Sequence, residues 1–184
     1  SVMAANNETG ALFPISELAA LAEARGVPLH TDAVQAASTQ DLTALGADLV
    51  TISGHKIGGP KGAGALVAPR RLRLQPFVTG GHQERGLVAG TENVAAIVGL
   101  GQAARLARER REAFAARAGA LRDRLQASLL DDIPGAHVNA GGTNRIPTTL
   151  NISFDDTEGE TLLVGLDLAG VACSSGSACT AGSL

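Results

Sequence analysis

Short apolar segments that alternate with helical segments constrain the fold of this chain more than any other feature. Apolar residues recur at helical spacing between Pro14 and Gly26, which predicts a helix over 15–25. Strands that alternate with helices in this way favour an α/β sheet whose faces are covered by helices. The predicted strands are 27–32, 48–53 and 63–68, with a helical turn at 42–46.

A polar cluster comes directly after each of three apolar segments. The clusters are Asn6-Asn7-Glu8, Asp32-Ala-Val-Gln35 and Ser53-Gly-His-Lys56. Ligands bind outside the carboxyl ends of the strands in open α/β sheets, so these groups can converge on one ligand. The chain contains neither a Walker loop nor a G-x-G-x-x-G motif, which disfavours a nucleotide.

His55 and Lys56 of the third cluster can be interpreted in two ways. In an ordinary surface turn, His55 and Lys56 would simply be solvated. In a cofactor site, the Lys56 amine can form a Schiff base with the aldehyde of pyridoxal phosphate. The Asp32 carboxylate can hold the pyridine nitrogen protonated, and the Ser53 hydroxyl and the imidazole can bind the phosphate.

The two cysteines lie in different settings near the end of the chain. Residues 171–173 are predicted to form a last strand, on which Cys173 is interpreted as a small packed hydrophobe. Cys179 lies in a loop of Gly, Ser and Ala, which are too small to bury it, so its thiol is predicted to be accessible and reactive. Together with the lysine cluster, this loop favours the pyridoxal phosphate site over the solvated turn.

The second half of the chain begins with a long helix predicted over 93–130. It carries an apolar stripe and seven arginines between Arg105 and Arg124, interpreted as a solvated face rather than an RNA-binding one. Its stripe consists of Leu100, Ala103, Ala104, Ala107, Leu121, Leu125 and Leu129. Strands near 136–139 and 148–154 and a helix near 158–168 complete a smaller α+β unit.

Composition argues against nucleic-acid binding, a membrane span and a metal site. A net charge of -3 gives no general attraction to nucleic acid or anionic membranes, and no apolar run approaches the roughly 20 residues of a membrane span. Two cysteines and four histidines without paired spacing predict no metal site. A reducing, cytoplasmic setting is expected.

The motifs together resemble the cysteine desulfurases of the NifS/IscS type, within the class V aminotransferase family. The resemblance implies a fold-type I pyridoxal phosphate-dependent transferase. Residues 1–110 would be the second half of the large α/β domain with a long linking helix, and 111–184 a truncated small α+β domain. The motifs are Asn6-Asn7-Glu8-Thr-Gly10, Asp32-Ala-Val-Gln35, Ser53-Gly-His-Lys56, Gly80-Gly-His-Gln-Glu-Arg-Gly86, Gly90-Thr-Glu-Asn93 and Ser174-Ser-Gly-Ser-Ala-Cys179.

The resemblance also implies how the chain holds the cofactor. Lys56 matches the Schiff-base lysine, which also moves the proton at the substrate α-carbon. Asp32 matches the partner of the pyridine nitrogen, and Gln35 the residue at the phenolic oxygen. Ser53 and His55 match phosphate ligands.

Three further residues carry roles by resemblance. Asn7 matches a residue beside the phenolic oxygen and the substrate. Thr91 matches a threonine that reaches the phosphate of a neighbouring subunit, which implies a homodimer. Cys179 matches the nucleophile that takes sulfur from cysteine as a persulfide. Val88 departs from the pattern, because relatives often carry arginine there.

The implied activity is conversion of L-cysteine to L-alanine, with sulfur passed to an acceptor protein of iron–sulfur cluster assembly or tRNA thiolation. Another class V activity, such as a transaminase or selenocysteine lyase, would share Lys56 and Asp32. A non-enzymatic sulfur carrier or scaffold would use Cys179 alone.

Both chain ends are expected to lie inside a longer protein, since 1–5 reads as the end of a strand and 179–184 stops within a loop. The 184 residues alone are therefore expected to be inactive.

Overall fold

The computed structural model describes residues 1–176, which form two compact units. The first unit contains Ser1–Ala4 and Phe13–Phe114. The second contains Ala5–Leu12 and the residues from Ala115 onward. The short segment 5–12 therefore belongs to a different unit from the residues on either side of it.

The first unit is built on a four-stranded sheet in the order β1-β2-β3-β4. The first three strands are parallel, and β4 is antiparallel to β3. Since the carboxyl ends of parallel strands meet at one edge, the polar groups that follow β2 and β3 share that edge, as the sequence predicted. The strands are β1 Val2–Met3, β2 His30–Asp32, β3 Leu49–Ser53 and β4 Gly64–Val67.

Helices of the first unit follow the apolar periodicity of the sequence. The predicted first helix forms and is anchored by Ile15, which is buried, while Gly26 has the positive φ of 64° that ends such a segment. Within 1–176, no helix is both long and apolar enough to cross a membrane. The helices are α1 Ile15–Glu23, α2 Gln83–Gly86 and α3 Val94–Asp132, with 3-10 helices at Leu42–Leu45 and Gly54–Lys56. Helix α3 continues beyond Phe114, where the first unit ends.

The 3-10 helix Leu42–Leu45 is capped by Asp41. The carboxylate accepts hydrogen bonds from the hydroxyl of Thr43 at 2.7 Å and from its N–H at 3.0 Å. Arg111 of α3 adds an ion pair at 3.0 Å. These contacts lower the pKa of Asp41. The hydroxyl of Thr43 has the largest effect, then its N–H, and then Arg111. The stability that these contacts contribute is present above the ordinary pKa of an aspartate and is lost as the pH falls through the lowered value.

The turn after β3 packs closely on α3, because small residues face each other. A Cβ atom at Gly54 would lie 2.8 Å from the Pro60 carbonyl oxygen and 3.4 Å from Leu100 Cδ1. A Cβ atom at Gly59 would lie 3.0 Å from Ala103 Cβ. Leu100 and Ala103 are among the buried residues of α3. The helix therefore fixes the backbone of the turn that carries Lys56.

Two glycines of α3 provide a matched test of this packing. A Cβ atom at Gly99 would lie 2.6 Å from Pro60 Cγ, whereas a Cβ atom at Gly101 would meet nothing within 4 Å. We expect Gly99→Ala to destabilise the full-length protein by about 1–3 kcal/mol through overpacking. Gly101→Ala should instead stabilise it by up to about 1 kcal/mol, since alanine favours a helix. Denaturant unfolding measures both, and equal effects of the two variants would contradict the packing described here.

The second unit has a two-stranded antiparallel sheet and one further helix. Strand β5, Ala136–Val138, pairs with β6, Ile152–Phe154, and α4 spans Gly159–Leu168. The segment 5–12 joins this unit through a bridge between Ala11 and Arg145. The predicted elements thus form, although β6 is shorter than the predicted 148–154.

Two predictions for the second unit are wrong. Residues 171–173 form no strand, and Cys173 is exposed rather than packed. The segment has the composition of a strand, but a strand needs a partner, and within 1–176 these residues pair with none. A separate observation concerns the apolar stripe of α3. Its second half is exposed, since Leu121 and Leu125 are 49% and 53% exposed.

Candidate cofactor site

The candidate site begins with the ends of two neighbouring parallel strands. Asp32 is the last residue of β2 and pairs with Thr51, and Ser53 is the last residue of β3, two positions further on. With strands about 4.8 Å apart and a rise of about 3.3 Å per residue, the Cα atoms of Asp32 and Ser53 lie about 8 Å apart. A ligand the size of a substituted pyridine can reach both.

Buried neighbours and hydrogen bonds fix the Asp32 backbone and orient its carboxylate. Thr31 and Ala33, on either side of it, are both 0% exposed. The Asp32 carbonyl accepts a hydrogen bond from the Ala4 N–H at 2.7 Å, and carboxylate Oδ1 accepts one from the Val34 N–H at 2.9 Å. The side chain itself is exposed, so it can meet a cationic ring nitrogen. Gln35 lies half-buried in the turn that follows.

Lys56 lies in a turn that backbone hydrogen bonds hold in place. The Gly54 N–H donates to the Ala63 carbonyl at 2.8 Å, and the Ile57 N–H donates to the Gly54 carbonyl at 3.0 Å. Both His55 and Lys56 are exposed. No group among residues 1–176 forms a hydrogen bond or ion pair with the Lys56 ammonium. The turn therefore presents an amine on a fixed backbone.

The hydroxyl and imidazole of this turn form a pair of their own. Ser53 Oγ lies 2.8 Å from His55 Nδ1. This contact holds the imidazole beside the strand end, and no hydrogen bond within 1–176 engages its Nε2, which can meet an anion. Such a hydroxyl–imidazole pair is suited to phosphate oxygens.

The donor set of this edge matches the groups of pyridoxal phosphate. Lys56 supplies an amine for the aldehyde, Asp32 a carboxylate for the ring nitrogen, and the Ser53–His55 pair supplies donors for the phosphate. Close contacts of Gly54 and Gly59 hold the turn, and the side chains of His55 and Lys56 are exposed on it. The residues present therefore fit the cofactor.

The other predicted site residues belong to other segments of the chain. Asn7 is exposed and belongs to the second unit. Thr91 is exposed on the loop before α3, where Phe77 and Val88 line the same groove. Cys179 lies outside the described residues. Five of the predicted site residues share one sheet edge, while Asn7 and Thr91 come from separate segments. The five are Asp32, Gln35, Ser53, His55 and Lys56.

Sequence reasoning missed the residues that support the segment carrying Asn7. Asn151, which directly precedes β6, donates a hydrogen bond to the Glu8 carbonyl at 3.2 Å, and Asn139, after β5, donates one to Asn151 at 2.7 Å. Asn139 is the last residue of the predicted strand 136–139, whereas Asn151 lies inside the predicted strand 148–154, so no shared signal marked the two. The contact of Asn151 with Glu8, 143 positions away along the chain, has no local signature.

The fold and the donor set define the class of protein. Three parallel strands with an amine, a carboxylate and a hydroxyl–imidazole pair at their carboxyl ends match the cofactor-binding part of a pyridoxal phosphate-dependent enzyme. The chain belongs to the aminotransferase class-V family, whose model matches residues 1–184. The resemblance to the NifS/IscS type drawn from the motifs is confirmed.

Individual relatives agree with this family. The chain is 51% identical to a cysteine desulfurase of Gluconacetobacter diazotrophicus and 50% identical to the cysteine desulfurase NifS of Azotobacter vinelandii, over its whole length in both cases. A NifS-like protein of Rickettsia africae has the same fold, with a TM-score of 0.90 over 95% of this chain and 49% of its own, at 34% identity. The chain spans 46% of the length of each of the two curated relatives.

Proposed function

We propose that the full-length protein is a pyridoxal phosphate-dependent cysteine desulfurase, which converts L-cysteine to L-alanine and passes the sulfur to a thiol of its own. The observation that carries this proposal is the fixed turn that presents the Lys56 amine at the sheet edge next to Asp32. Identities near 50% to proteins named cysteine desulfurase support it.

The residues of the sheet edge hold the cofactor. Lys56 binds it covalently, Asp32 keeps its ring nitrogen protonated, and Gln35 contacts its phenolic oxygen. Ser53 and His55 bind its phosphate. When bound, the cofactor supplies an electron sink for the bonds at the substrate α-carbon.

Lys56 and Cys179 have different roles in the reaction: Lys56 transfers a proton, and Cys179 attacks the substrate sulfur. The Lys56 amine accepts the proton of the α-carbon and returns it. The Cys179 thiolate bonds to the substrate sulfur while the carbon–sulfur bond breaks, and the electron pair of that bond stays with the carbon that becomes the methyl group of alanine. A thiol of ordinary pKa, about 8.5, is only a few per cent ionised at pH 7, so the site must promote its ionisation.

The product on Cys179 is a persulfide, whose outer sulfur is transferred to an acceptor protein. We place this transfer in a cytoplasmic system that supplies iron–sulfur cluster assembly or tRNA thiolation. Small residues around Cys179 in the sequence allow one thiol to serve both the substrate and the acceptor.

Product analysis of the full-length enzyme tests the proposed activity. With L-cysteine and a reducing thiol, the cofactor-loaded protein should release alanine and sulfide in equal amounts. A transaminase would instead require a 2-oxo acid and would release no sulfide, and a selenocysteine lyase would act on L-selenocysteine alone. Either result would overturn the proposal.

The full-length protein is also proposed to be a homodimer in which Thr91 reaches the phosphate bound by the other subunit. Large apolar side chains are exposed around the Thr91 loop, which supports an interface there. Phe77 is 99% exposed, Val94 65% and Val98 66%. The groove that contains Thr91 is lined by Leu66, Phe77, Val88 and Ile97, among others.

Mixed dimers can show whether Thr91 acts across subunits. Thr91→Ala alone should lower activity at least about tenfold, since a hydrogen bond to a charged group is lost. Co-expression of Lys56→Ala with Thr91→Ala chains should restore activity, because each mixed dimer then has one site with neither change. With random pairing, about a quarter of the wild-type activity should return.

The matched control is co-expression of Lys56→Ala with Asp32→Ala chains. Those two residues belong to the same subunit's sheet edge, so every site in the mixed dimer carries one change and no activity should return. Failure of the Lys56 and Thr91 pair to exceed this control would mean that Thr91 does not act across subunits.

A further inference from the structure

One face of the parallel strands carries polar side chains next to the Asp32 carboxylate. Side chains alternate between the two faces of a strand, and register neighbours on adjacent strands share a face. Asp32 therefore shares its face with His30 on its own strand and with Thr51, its register neighbour on β3. On the opposite face, Thr31 and Val50 are 0% and 9% exposed. Parallel strands are usually apolar on both faces, so the polar face requires a physical explanation.

The polar side chains of this face are joined by the imidazole of His30. Its Nδ1 lies 2.7 Å from Ser1 Oγ, and its Nε2 lies 3.2 Å from Thr51 Oγ1. Ser1 directly precedes β1, and Thr51 belongs to β3, so the half-buried ring links all three parallel strands. With both nitrogens engaged, the ring keeps one orientation.

The two contact lengths differ in a way that fits one tautomer of His30. A neutral imidazole has one donor nitrogen and one acceptor nitrogen. The contact of 2.7 Å with Ser1 has the usual length of a bond donated by a hydroxyl, whereas the 3.2 Å to Thr51 lies in the range of a bond donated by N–H. These are the lengths of a ring that accepts at Nδ1 and donates at Nε2. The Thr51 hydroxyl then accepts from the ring, and its own hydrogen points away from the ring.

Asp32 is the acceptor that the strand register offers to this hydrogen. The register neighbours across the four strands are Met3, Asp32, Thr51 and Leu66. Asp32 is the charged member of this row, and with strands about 4.8 Å apart its side chain starts about 5 Å from that of Thr51. Within 1–176 its carboxylate accepts one hydrogen bond, at Oδ1 from the Val34 N–H, so Oδ2 keeps its acceptor capacity.

We infer that His30 is a positioning residue for Asp32 that acts through the Thr51 hydroxyl, an inference that rests on the role of Asp32 at the cofactor ring in the proposed function. The Nε2–H of His30 holds the hydroxyl oxygen, so the hydroxyl hydrogen is directed towards the carboxylate. A dipole in this direction stabilises the negative charge of Asp32. The proton between Asp32 and the ring nitrogen then stays on the ring, as an electron sink requires.

The experiment is an absorption titration of the full-length, cofactor-loaded enzyme. Thr51→Val removes the hydroxyl but keeps the shape and the strand preference of the residue. With less positive charge on the ring, the nitrogen that links Lys56 to the cofactor holds its proton more strongly. The pH at which the visible absorption changes should therefore rise by about 0.3–1 unit. His30→Leu should raise it similarly, and the double variant should show no further rise.

Three companion variants separate the hydroxyl from the strand that carries it. Thr51→Ser keeps the hydroxyl and His30→Gln keeps an N–H donor, so both should lie close to the wild-type titration. Thr31→Val is the matched control, since Thr31 lies between His30 and Asp32 but faces the other way. Its hydroxyl is buried and has no hydrogen-bond partner within 1–176, so its loss should leave the titration unchanged.

Nitrogen NMR of the full-length, cofactor-free protein tests the imidazole directly. The ¹⁵N signals of His30, assigned by their loss in His30→Gln, should be those of a ring whose neutral form is protonated at Nε2. A neutral ring protonated at Nδ1 would overturn the inference, because the Thr51 hydroxyl would then donate to Nε2 and not towards Asp32.

Two results of the titration would also overturn the inference. One is a wild-type profile in Thr51→Val or a shift of equal size in Thr31→Val, and the other is additive shifts of Thr51→Val and His30→Leu. Asp32→Asn separates these results from a failure of the proposed function. An unaltered profile in Asp32→Asn would remove the role of Asp32 itself, whereas a shifted profile there beside a wild-type Thr51→Val would refute the role of His30 alone. None of these measurements requires turnover, so they are independent of the product analysis.

Discussion

Replacing Lys56 by alanine in the full-length protein is expected to remove both covalent cofactor attachment and turnover. The amine is presented by a hydrogen-bonded turn at the end of β3 and is the proposed acceptor of the substrate α-proton. Loss of a general base lowers rates by about 10²–10⁴-fold, and loss of the covalent link adds to this. Cofactor should still bind noncovalently through Asp32 and the Ser53–His55 pair.

Borohydride reduction followed by peptide mapping measures the attachment directly. In the wild-type protein the reduced cofactor should be found on the peptide that contains Lys56, and in the variant on none. Lys61 provides the matched control, because it is an exposed lysine in the same connection between β3 and β4. Lys61→Ala should retain attachment and activity, and cofactor fixed on Lys61 would refute the assignment of the lysine.

Replacing Cys179 by serine is expected to abolish sulfur transfer while leaving the cofactor in place. Serine has a similar shape but no sulfur to form a persulfide, so alanine and sulfide release should fall at least about a hundredfold, as for other lost nucleophiles. The visible absorption of the bound cofactor should still respond to L-cysteine. Incubation with ³⁵S-cysteine and non-reducing electrophoresis follows the labelled persulfide, which the variant should lack.

Cys173→Ser is the control for this experiment, and the exposure of Cys173 makes it necessary. Thiol-blocking reagents would modify an exposed Cys173 as well as Cys179, so inactivation of the wild type by such reagents does not identify the nucleophile. Cys173→Ser should retain most of the activity and the label. If the label remained in Cys179→Ser and disappeared in Cys173→Ser, the roles of the two cysteines would have to be exchanged.

The parts of the fold that the sequence predicted correctly are those decided within a few residues. Ile15 begins a periodic apolar segment after Pro14, and α1 forms there. The apolar residues before Ser53 form β3, and the glycines after it allow the turn that carries Lys56. Because parallel strands align their carboxyl ends, local strand predictions were sufficient to bring Asp32 and Ser53 to one edge.

The parts that the sequence did not predict depend on distant partners. Residues 171–173 have a strand composition, but no ladder forms there within the described residues. The exposed Leu121 and Leu125 have the spacing of a buried stripe, and only tertiary structure decides what covers them. The hydrogen bond from Asn151 to the Glu8 carbonyl joins residues 143 positions apart, and no pattern along the chain reports such a pair.

The division of the chain into units has a consequence for synthesis on the ribosome. Residues 5–12 emerge early, but the residues 144–146 with which they pair are translated more than 130 positions later. At about 5–20 residues per second, the early segment waits on the order of ten seconds for its partners. During that interval the first unit can fold, while the segment 5–12 still lacks the C-terminal residues with which it pairs. A translational pause before residue 144 would lengthen this period.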